Sequence, residues 1–269
     1  MNKMAAFDAL AAGYDLGFGQ SLTGQAQRQV ARRWLLQFLA GKGSLRILEI
    51  NCGTGDDAWW LASLGHQVVA TDQSAAMIDA ANAKGPQHND VVAPQFLTCA
   101  FHELGSLQDH VPFDLVFSNF AGLNCITPPQ LHQLGKTFQA LLQPEGHLAL
   151  VLFGKYCWWE SCYYLLKGHW RQAGRRWTQR PQLARLTDTV QQSISYYSVR
   201  QFSRRLPTFR LLTAKPVGLF IPPSYLEPAM RKHPRLFHLL VWLDTKSQPL
   251  PLLSALADHT YVLLKKNVP

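Results

Sequence analysis

The stretch RILEINCGTGDDAWWLASLGHQVVATD, residues 46–72, decides how the rest of the chain is read. It opens on an apolar run and passes through a glycine pair, Gly53 and Gly55. A helical span follows, and a second β-rich run (67–72) closes on Asp72. Three of its choices cost stability unless something compensates them. Glu49 places a carboxyl inside an apolar strand, where an unpaired charge is expensive. Two glycines sacrifice backbone entropy within three residues. Asp72 puts a second acid at the end of the next strand.

The glycines fall in a strand-to-helix turn, where a missing Cβ lets the backbone approach a ligand closely. A carboxylate at the end of the second strand can accept hydrogen bonds from both hydroxyls of a ribose. The pair therefore predicts a site for a nucleoside-type cofactor. GTGDDA satisfies the relaxed dinucleotide pattern GxGxxA, so NAD(P) competes. However, Asp56 and Asp57 stand at the helix start, where a pyrophosphate would lie, and two carboxylates repel it. They suit the helix dipole when no phosphate is bound. S-adenosylmethionine carries no phosphate, and Glu49 is placed to meet its cationic methionine part, directly or through water. The acidic loop thus favours S-adenosylmethionine. Plainer readings stand beside this one: Glu49 as a structural buried acid, Asp72 as the N-cap of a helix starting at QSAAMI, and Cys52 as a small core residue.

Working outward, residues 25–40 place Val30, Trp34, Leu35 and Phe38 at helical spacing. Strand-like runs occupy 94–101, 113–120 and 146–153, and the segment 128–146 begins with two prolines suited to a helix start and ends in a Pro-Glu-Gly turn. Strands alternating with helices predict an α/β fold, a parallel sheet covered on both faces. Ligands in such sheets sit beyond the carboxyl ends of the strands, at the switch in strand order. After residue 154 the rhythm changes. Residues 155–180 are dense in aromatics and arginines, 198–206 read as a helix, 209–220 as a strand with a proline irregularity, and 259–267 as a last strand. A proline-rich helical insertion, 221–257, lies between those two strands.

These residues together resemble the class I S-adenosylmethionine-dependent methyltransferases of small-molecule type. LEINCGTGDDAWWLASLGHQVVATDQSAAMI is similar to the family's glycine motif and acidic second strand. FDALAAGYD near the N-terminus resembles its helical lead-in, FDLVFSNFAGLNCI its fourth-strand motif, and LLQPEGHLALVLF its fifth strand. The likeness spans 7–153 well and 194–267 loosely. It implies a Rossmann-like seven-stranded sheet with a final antiparallel strand and helical insertions forming a lid. The implied division is a helical lead-in or cap (1–44), a cofactor-binding core (45–154, 194–220 and 258–269) and inserted substrate-lid segments (155–193 and 221–257). It further implies that Glu49, Gly53 and Gly55 line the methionine end and that Asp72 holds the ribose. Gln73 and Met77 would lie near the adenine, Cys99, Ala100 and Phe101 would bracket the base, and Ser118 and Asn119 would close the site. The chain departs from the pattern twice. Asn51 replaces the first glycine of GxGxG, and asparagine is among the residues most tolerant of positive φ. Cys99 stands where many members carry an aspartate for the adenine amino group.

An electrophilic methyl on a sulfonium needs an aligned nucleophile and exclusion of water. Tyr14, Asn119 and Asn124 are candidates for the pocket around it, and Trp158 and Trp159 for a cap over the substrate. His102 and His132 are considered as bases, each with an ordinary surface role as the plainer reading, so no catalytic base is assigned.

The totals bound the function classes. Residues 1–154 carry 8 lysines and arginines against 12 acids, whereas 155–269 carry 18 against 5. That basic half suits a solvated face, an acidic or aromatic small-molecule acceptor, an acidic carrier, a membrane surface in peripheral contact or nucleic acid. The Asn/Asp-Pro-Pro-aromatic motif of nucleic-acid amino-methylating enzymes is replaced by SNFAGLN, which argues against nucleic acid. The five cysteines lack a CxxC pair, which predicts free thiols in a reducing, cytoplasmic setting. No run approaches the roughly 18 apolar residues of a membrane span, and the N-terminus lacks a signal pattern. Ten histidines without HxH or HxxxH spacing predict no metal site. The expectation is methyl transfer to a small molecule, O-methylation favoured. The alternatives are a silent binding module for an acidic partner or membrane, and an RNA methyltransferase.

Overall fold

A computed structural model describes residues 19–85, 91–185, 191–247 and 251–267. The elements in chain order are α1 (Leu22–Leu39), β1 (Arg46–Ile50), α2 (Asp56–Ser63), β2 (Gln67–Asp72), α3 (Ala75–Ala83), β3 (Gln95–Thr98), β4 (Phe113–Ser118) and α4 (Pro128–Leu141). They continue as β5 (Leu142–Phe153), α5 (Trp158–Leu166), α6 (Trp170–Ala173), β6 (Gln182–Arg185), β7 (Gln191–Ile194), α7 (Val199–Ser203), β8 (Phe209–Val217), α8 (Glu227–Lys232), α9 (Pro234–Lys246) and β9 (His259–Lys266). Seven strands form one sheet in the order β3-β2-β1-β4-β5-β9-β8, and β6 and β7 form a separate hairpin. All pairs from β3 to β5 are parallel, while β9 runs antiparallel to both β5 and β8. The parallel part is what the alternating pattern predicts, and the seven-stranded Rossmann-like sheet with its antiparallel final strand is what the family resemblance implies.

The two-residue period of the strands divides the core. Ile47, Phe117, Ala149 and Val151 face one layer with Val30, Trp34 and Leu35 of α1 and Leu61 of α2. Leu48, Val116, Leu148 and Leu150 face the other with Leu131, Leu134 and Phe138 of α4 and Phe202 of α7. Both faces are covered, which is why these strands read as nearly continuous apolar runs. Local signals place the helix starts. Ser21 accepts from the Gly24 amide, Ser74 accepts from Met77, and Thr127 forms a capping box with Gln130 ahead of the two prolines. The Pro-Glu-Gly turn instead falls within the span of β5. Phe113 pairs with Leu142 and Leu115 with His147, so the extra residues loop out of register, and Glu145 takes φ +68° there.

The expected lid differs most from the structure. Met230 of α8 and Phe237 of α9 join the core layer under α1, and the Glu227 carboxylate accepts from the Leu22 amide at 3.1 Å at the N-terminus of α1. Helices α8 and α9 of the insertion therefore brace α1 from the side, as an amphipathic helix does wherever an apolar layer is open. In the other segment, Arg176 is 6% exposed and bridges Glu160 and Asp258, and Arg175 grips Glu160 through two nitrogens at 2.7 and 2.9 Å. Those two arginines belong to a buried ion network rather than to a charged outer face. Among the described residues, no helix is long and apolar enough to cross a membrane.

Candidate functional site

The switch in strand order lies between β1 and β4, which are neighbours in the sheet although β2 and β3 separate them in sequence. At their carboxyl ends a cavity is lined by the β1–α2 loop, the end of β2, the segment after β3 and the turn after β4. Of the residues singled out in the sequence, Glu49, Asn51, Gly53, Asp72, Gln73, Met77, Cys99, Phe101 and Asn119 line it. Arg28, Cys52, Thr54, Asp56, Asp57, Phe120, Gly122 and Cys125 complete the wall.

The loop turns sharply because three of its residues take left-handed conformations: Asn51 at φ +51°, Gly53 at +54° and Gly55 at +78°. Asn51 answers the question raised by the missing glycine. Its Nδ2 donates to the Asn119 carbonyl at 2.8 Å, and Ser118 Oγ donates to its Oδ1 at 2.5 Å, so the amide ties the β1 loop to the end of β4. The space for it is supplied opposite: a Cβ added at Gly122 would lie 2.4 Å from Asn51 Cγ. Gly55 serves a different purpose from the one expected of it. A Cβ there would meet Ala81 Cβ and Phe96 Cε1, both at 2.8 Å, so α3 and β3 demand this glycine, not a ligand.

Asp72 accepts from the Gly53 amide through Oδ2 and from the Ser74 amide through Oδ1, each at 3.0 Å. The helix cap itself is Ser74. Asp72 thus fixes the loop against β2 and lines the cavity. Glu49 is 2% exposed, and its Oε2 has no hydrogen-bond partner among the described residues. Burial first, then the Asp57 charge, raise its carboxyl well above the ordinary range despite Arg28 and Arg32. An orphaned buried carboxyl on a cavity wall is the kind of group a cationic ligand completes.

Asp56 and Asp57 are heavily committed. Arg28 and Lys84 pair with Asp56; burial opposes its ionisation, but those two cations outweigh it and hold the carboxyl below its usual value. Asp57 receives Arg32 Nε at 2.6 Å and Asn119 Nδ2 at 2.8 Å. The two acids therefore cross-link α1, α2 and the β4 turn, and three basic side chains offset the repulsion of phosphate inferred from sequence. Three thiols line the same cavity. Burial, then Glu49, raises Cys52 strongly; burial raises Cys99 and pushes Cys125 up to about 11. All three stay protonated at neutral pH and are weak nucleophiles.

Other expected residues sit elsewhere. Ser118 is buried behind Asn51, and the Ala100 amide is taken by Glu103 at 2.8 Å. Asn124 is buried with its amide spent on the Ser195 carbonyl at 2.6 Å and the Phe153 amide at 3.0 Å, so it is a brace between β5 and the segment before α7. Trp158 donates to the Leu219 carbonyl and packs on Trp159 with centroids 4.5 Å apart, and neither lines the cavity. His102 and His132 are exposed and likewise outside the wall. Tyr14 lies outside the described residues.

Among wall residues not foreseen, Arg28 carries an i, i+4 signal with Arg32 on α1. Phe120 follows Asn119 with φ +52°, and Ala121 with φ +61°, two consecutive non-glycine residues in the left-handed region. Such strain costs on the order of 1–3 kcal/mol each and tends to gather at functional sites. The Arg28 guanidinium covers the Phe120 ring at 5.1 Å.

Comparison with known proteins agrees with this fold. Residues 47–146 match the profile of a family described as a methyltransferase domain. The tRNA 5-carboxymethoxyuridine methyltransferase of Escherichia coli K12 is 32% identical over 153 residues, 55% of this chain and 56% of that protein. The chain thus spans about half the length of the curated relatives it matches. The magnesium protoporphyrin IX methyltransferase of Synechocystis PCC 6803, solved with bound S-adenosylhomocysteine, has the same fold at TM-score 0.60 and 13% identity, covering 97% of this chain and 96% of that one. An S-adenosylmethionine-dependent methyltransferase from Mesorhizobium loti gives TM-score 0.54 at 18% identity, covering 89% and 100%. With the strand order, the loop and the cavity all in place, residues 47–146 match a methyltransferase domain and the chain has the fold of the S-adenosylmethionine-dependent methyltransferases.

Proposed function

We propose that the protein methylates an oxygen of an acceptor that arrives already ionised, a carboxylate-bearing modified uridine of tRNA. The observation that carries this reading is that the ionisable groups described on the cavity wall are committed or protonated. Asp56 and Asp57 are held by cations, Asp72 by two amides, burial pushes Glu49 toward its protonated form, and burial keeps the thiols protonated. An alcohol or amide acceptor would have to leave a proton with one of them. A carboxylate has none to lose. The relative from E. coli supports the same chemistry, since its named substrate is a carboxymethoxy-substituted uridine in tRNA.

In this reading, Glu49 receives the cationic methionine end of the cofactor and Asp72 the ribose hydroxyls. Gln73, Met77, Cys99 and Phe101 enclose the base. Bound S-adenosylmethionine supplies a methyl group whose carbon–sulfur bond breaks, with the electron pair leaving on sulfur, as the acceptor oxygen bonds to carbon. Phe120 and Asn119, on the strained turn, bound the space on the acceptor side and exclude water from it.

The test is incubation of the purified protein with methyl-labelled S-adenosylmethionine and tRNA containing unmethylated 5-carboxymethoxyuridine, in parallel with a metabolite extract. Label in a base-labile ester of the uridine is expected. Label confined to the extract would overturn the tRNA acceptor in favour of a small molecule. Cofactor binding with no transfer to either would leave only a binding module.

A further inference from the structure

The segment after β5 exposes aromatic surface that a folded chain normally hides. Trp170 keeps 75% of its surface exposed, Trp177 56% and Leu166 89%. Exposed large apolar clusters mark contact sites. The charges on this segment share one sign where they face solvent. Between residues 156 and 185, Lys167, Arg171 and Arg180 are exposed, whereas the only acid, Glu160, is buried against Arg175 and Arg176. Along the segment, exposed rings therefore alternate in sequence with exposed cations.

The mount is rigid. Arg176 donates to the carbonyls of Gly154 at 3.3 Å and Asp258 at 3.1 Å, and to Asp258 Oδ1 at 2.8 Å, fixing the segment to the end of β5 and the start of β9. Tyr156 meets Trp177 edge-on at 6.4 Å. Inward, Arg176 covers the Phe153 ring at 5.4 Å, Phe153 stacks on His259 at 4.8 Å, and His259 meets Phe120 of the cavity wall at 6.1 Å. The face thus stands at the same end of the sheet as the cavity.

We propose that this face docks an unpaired loop of the RNA acceptor, with Trp170 and Trp177 stacking on bases and Lys167, Arg171 and Arg180 meeting phosphates. The inference rests on the tRNA reading above. Single-stranded RNA alternates a π-face with a phosphate at every nucleotide, which is the spacing that rings separated by cations complement. An anionic bilayer is met by a continuous apolar helix face with a basic rim. Here the rings sit on the four-residue α6 and on the three-residue turn Arg175–Trp177, too short to form one.

The experiment compares the full chain with Trp170→Ala/Trp177→Ala and Lys167→Gln/Arg171→Gln/Arg180→Gln variants, using fluorescently labelled tRNA and, separately, vesicles of phosphatidylglycerol and phosphatidylcholine. The aromatic variant should bind tRNA about tenfold or more weakly, given roughly 1–3 kcal/mol per stacked base. The charge variant should lower the slope of log affinity against log salt by about 2. Affinity for S-adenosylhomocysteine should stay within about twofold in both, which also shows that they fold. tRNA methylated and bound equally by parent and variants overturns the platform alone. tRNA bound through this face but never methylated overturns the acceptor reading alone. Vesicle binding without tRNA binding overturns both in favour of a membrane surface.

Discussion

Glu49 concentrates the chemistry of the site in one side chain. Burial pushes its carboxyl toward the protonated form, so in the proposed reading the cationic methionine end draws the proton off and cofactor binding is linked to pH. With the bound-state pKa lower than the free one, affinity should rise as pH increases toward the raised free value and then level off. Calorimetry of S-adenosylmethionine binding in buffers of different ionisation enthalpy should register proton release, and Glu49→Gln should abolish it. The same substitution should weaken binding by about 1.5–3 kcal/mol, the range for hydrogen bonds to a charged group. It should also raise the Tm of the ligand-free protein at neutral pH. A raised acid pKa in the folded state costs stability above the unfolded value, and the neutral amide removes that cost. Glu49 and Asp72 were legible in the sequence because an acid in an apolar strand or at a strand end asks for a reason. Arg28 and Phe120 were not, because their place on the wall depends on where α1 crosses the loop and how the turn after β4 bends.

Among the elements, the β1–α2 loop and the β4 turn behave as one unit through Asn51 and Gly122. Asparagine at a left-handed position was predictable from its φ tolerance. Its need for a glycine 71 positions away was not, since the two meet only when β1 and β4 pair. Gly122→Ala should destabilise the protein by about 1–3 kcal/mol through overpacking against the Asn51 amide. Most of that loss should vanish in an Asn51→Gly background, which empties the contested space. A double-mutant cycle in urea measures the coupling, and additive effects would separate the two segments. The start of α4 was readable from its two prolines, whereas α3 is capped by Ser74 and not by the Asp72 that the sequence offered. The bulge in β5 was not readable, because a Pro-Glu-Gly sequence signals a turn without saying whether the strand resumes on the same partner.

At the scale of the whole molecule, the parallel sheet followed from alternating strands and helices and its antiparallel final strand from the family resemblance, whereas the insertions did not reveal what they cover. An amphipathic helix announces an apolar face but not its partner, and α8 and α9 found that partner on the α1 side of the sheet. Global stability carries its own pH signature at His147, which packs on Phe38 at 4.8 Å beside the bulge. Burial first, then Lys42 and Lys265, lower its pKa from 6.5 to about 4, against the opposing pull of Glu145. The unfolded chain therefore binds a proton that the folded one refuses between those values. This contribution to stability is intact above about pH 6.5 and is lost progressively as pH falls toward 4. Chemical denaturation from pH 7.5 to 4.5 should show a shallower decline in His147→Gln than in the parent.

The position of β9 between β5 and β8 also has a consequence for how the chain is made. Both neighbours precede it in sequence, so during synthesis each presents an open hydrogen-bonding edge until residues 259–266 emerge from the ribosome. Parallel pairing of β1 to β5 can begin earlier, yet the sheet closes only when the latest strand slides between two waiting ones. Arg176 and Glu160 wait with them, since Asp258, immediately before that strand, completes their ion network. A nascent chain stalled before His259 is thus the species most prone to misassembly, and chaperone capture should peak there.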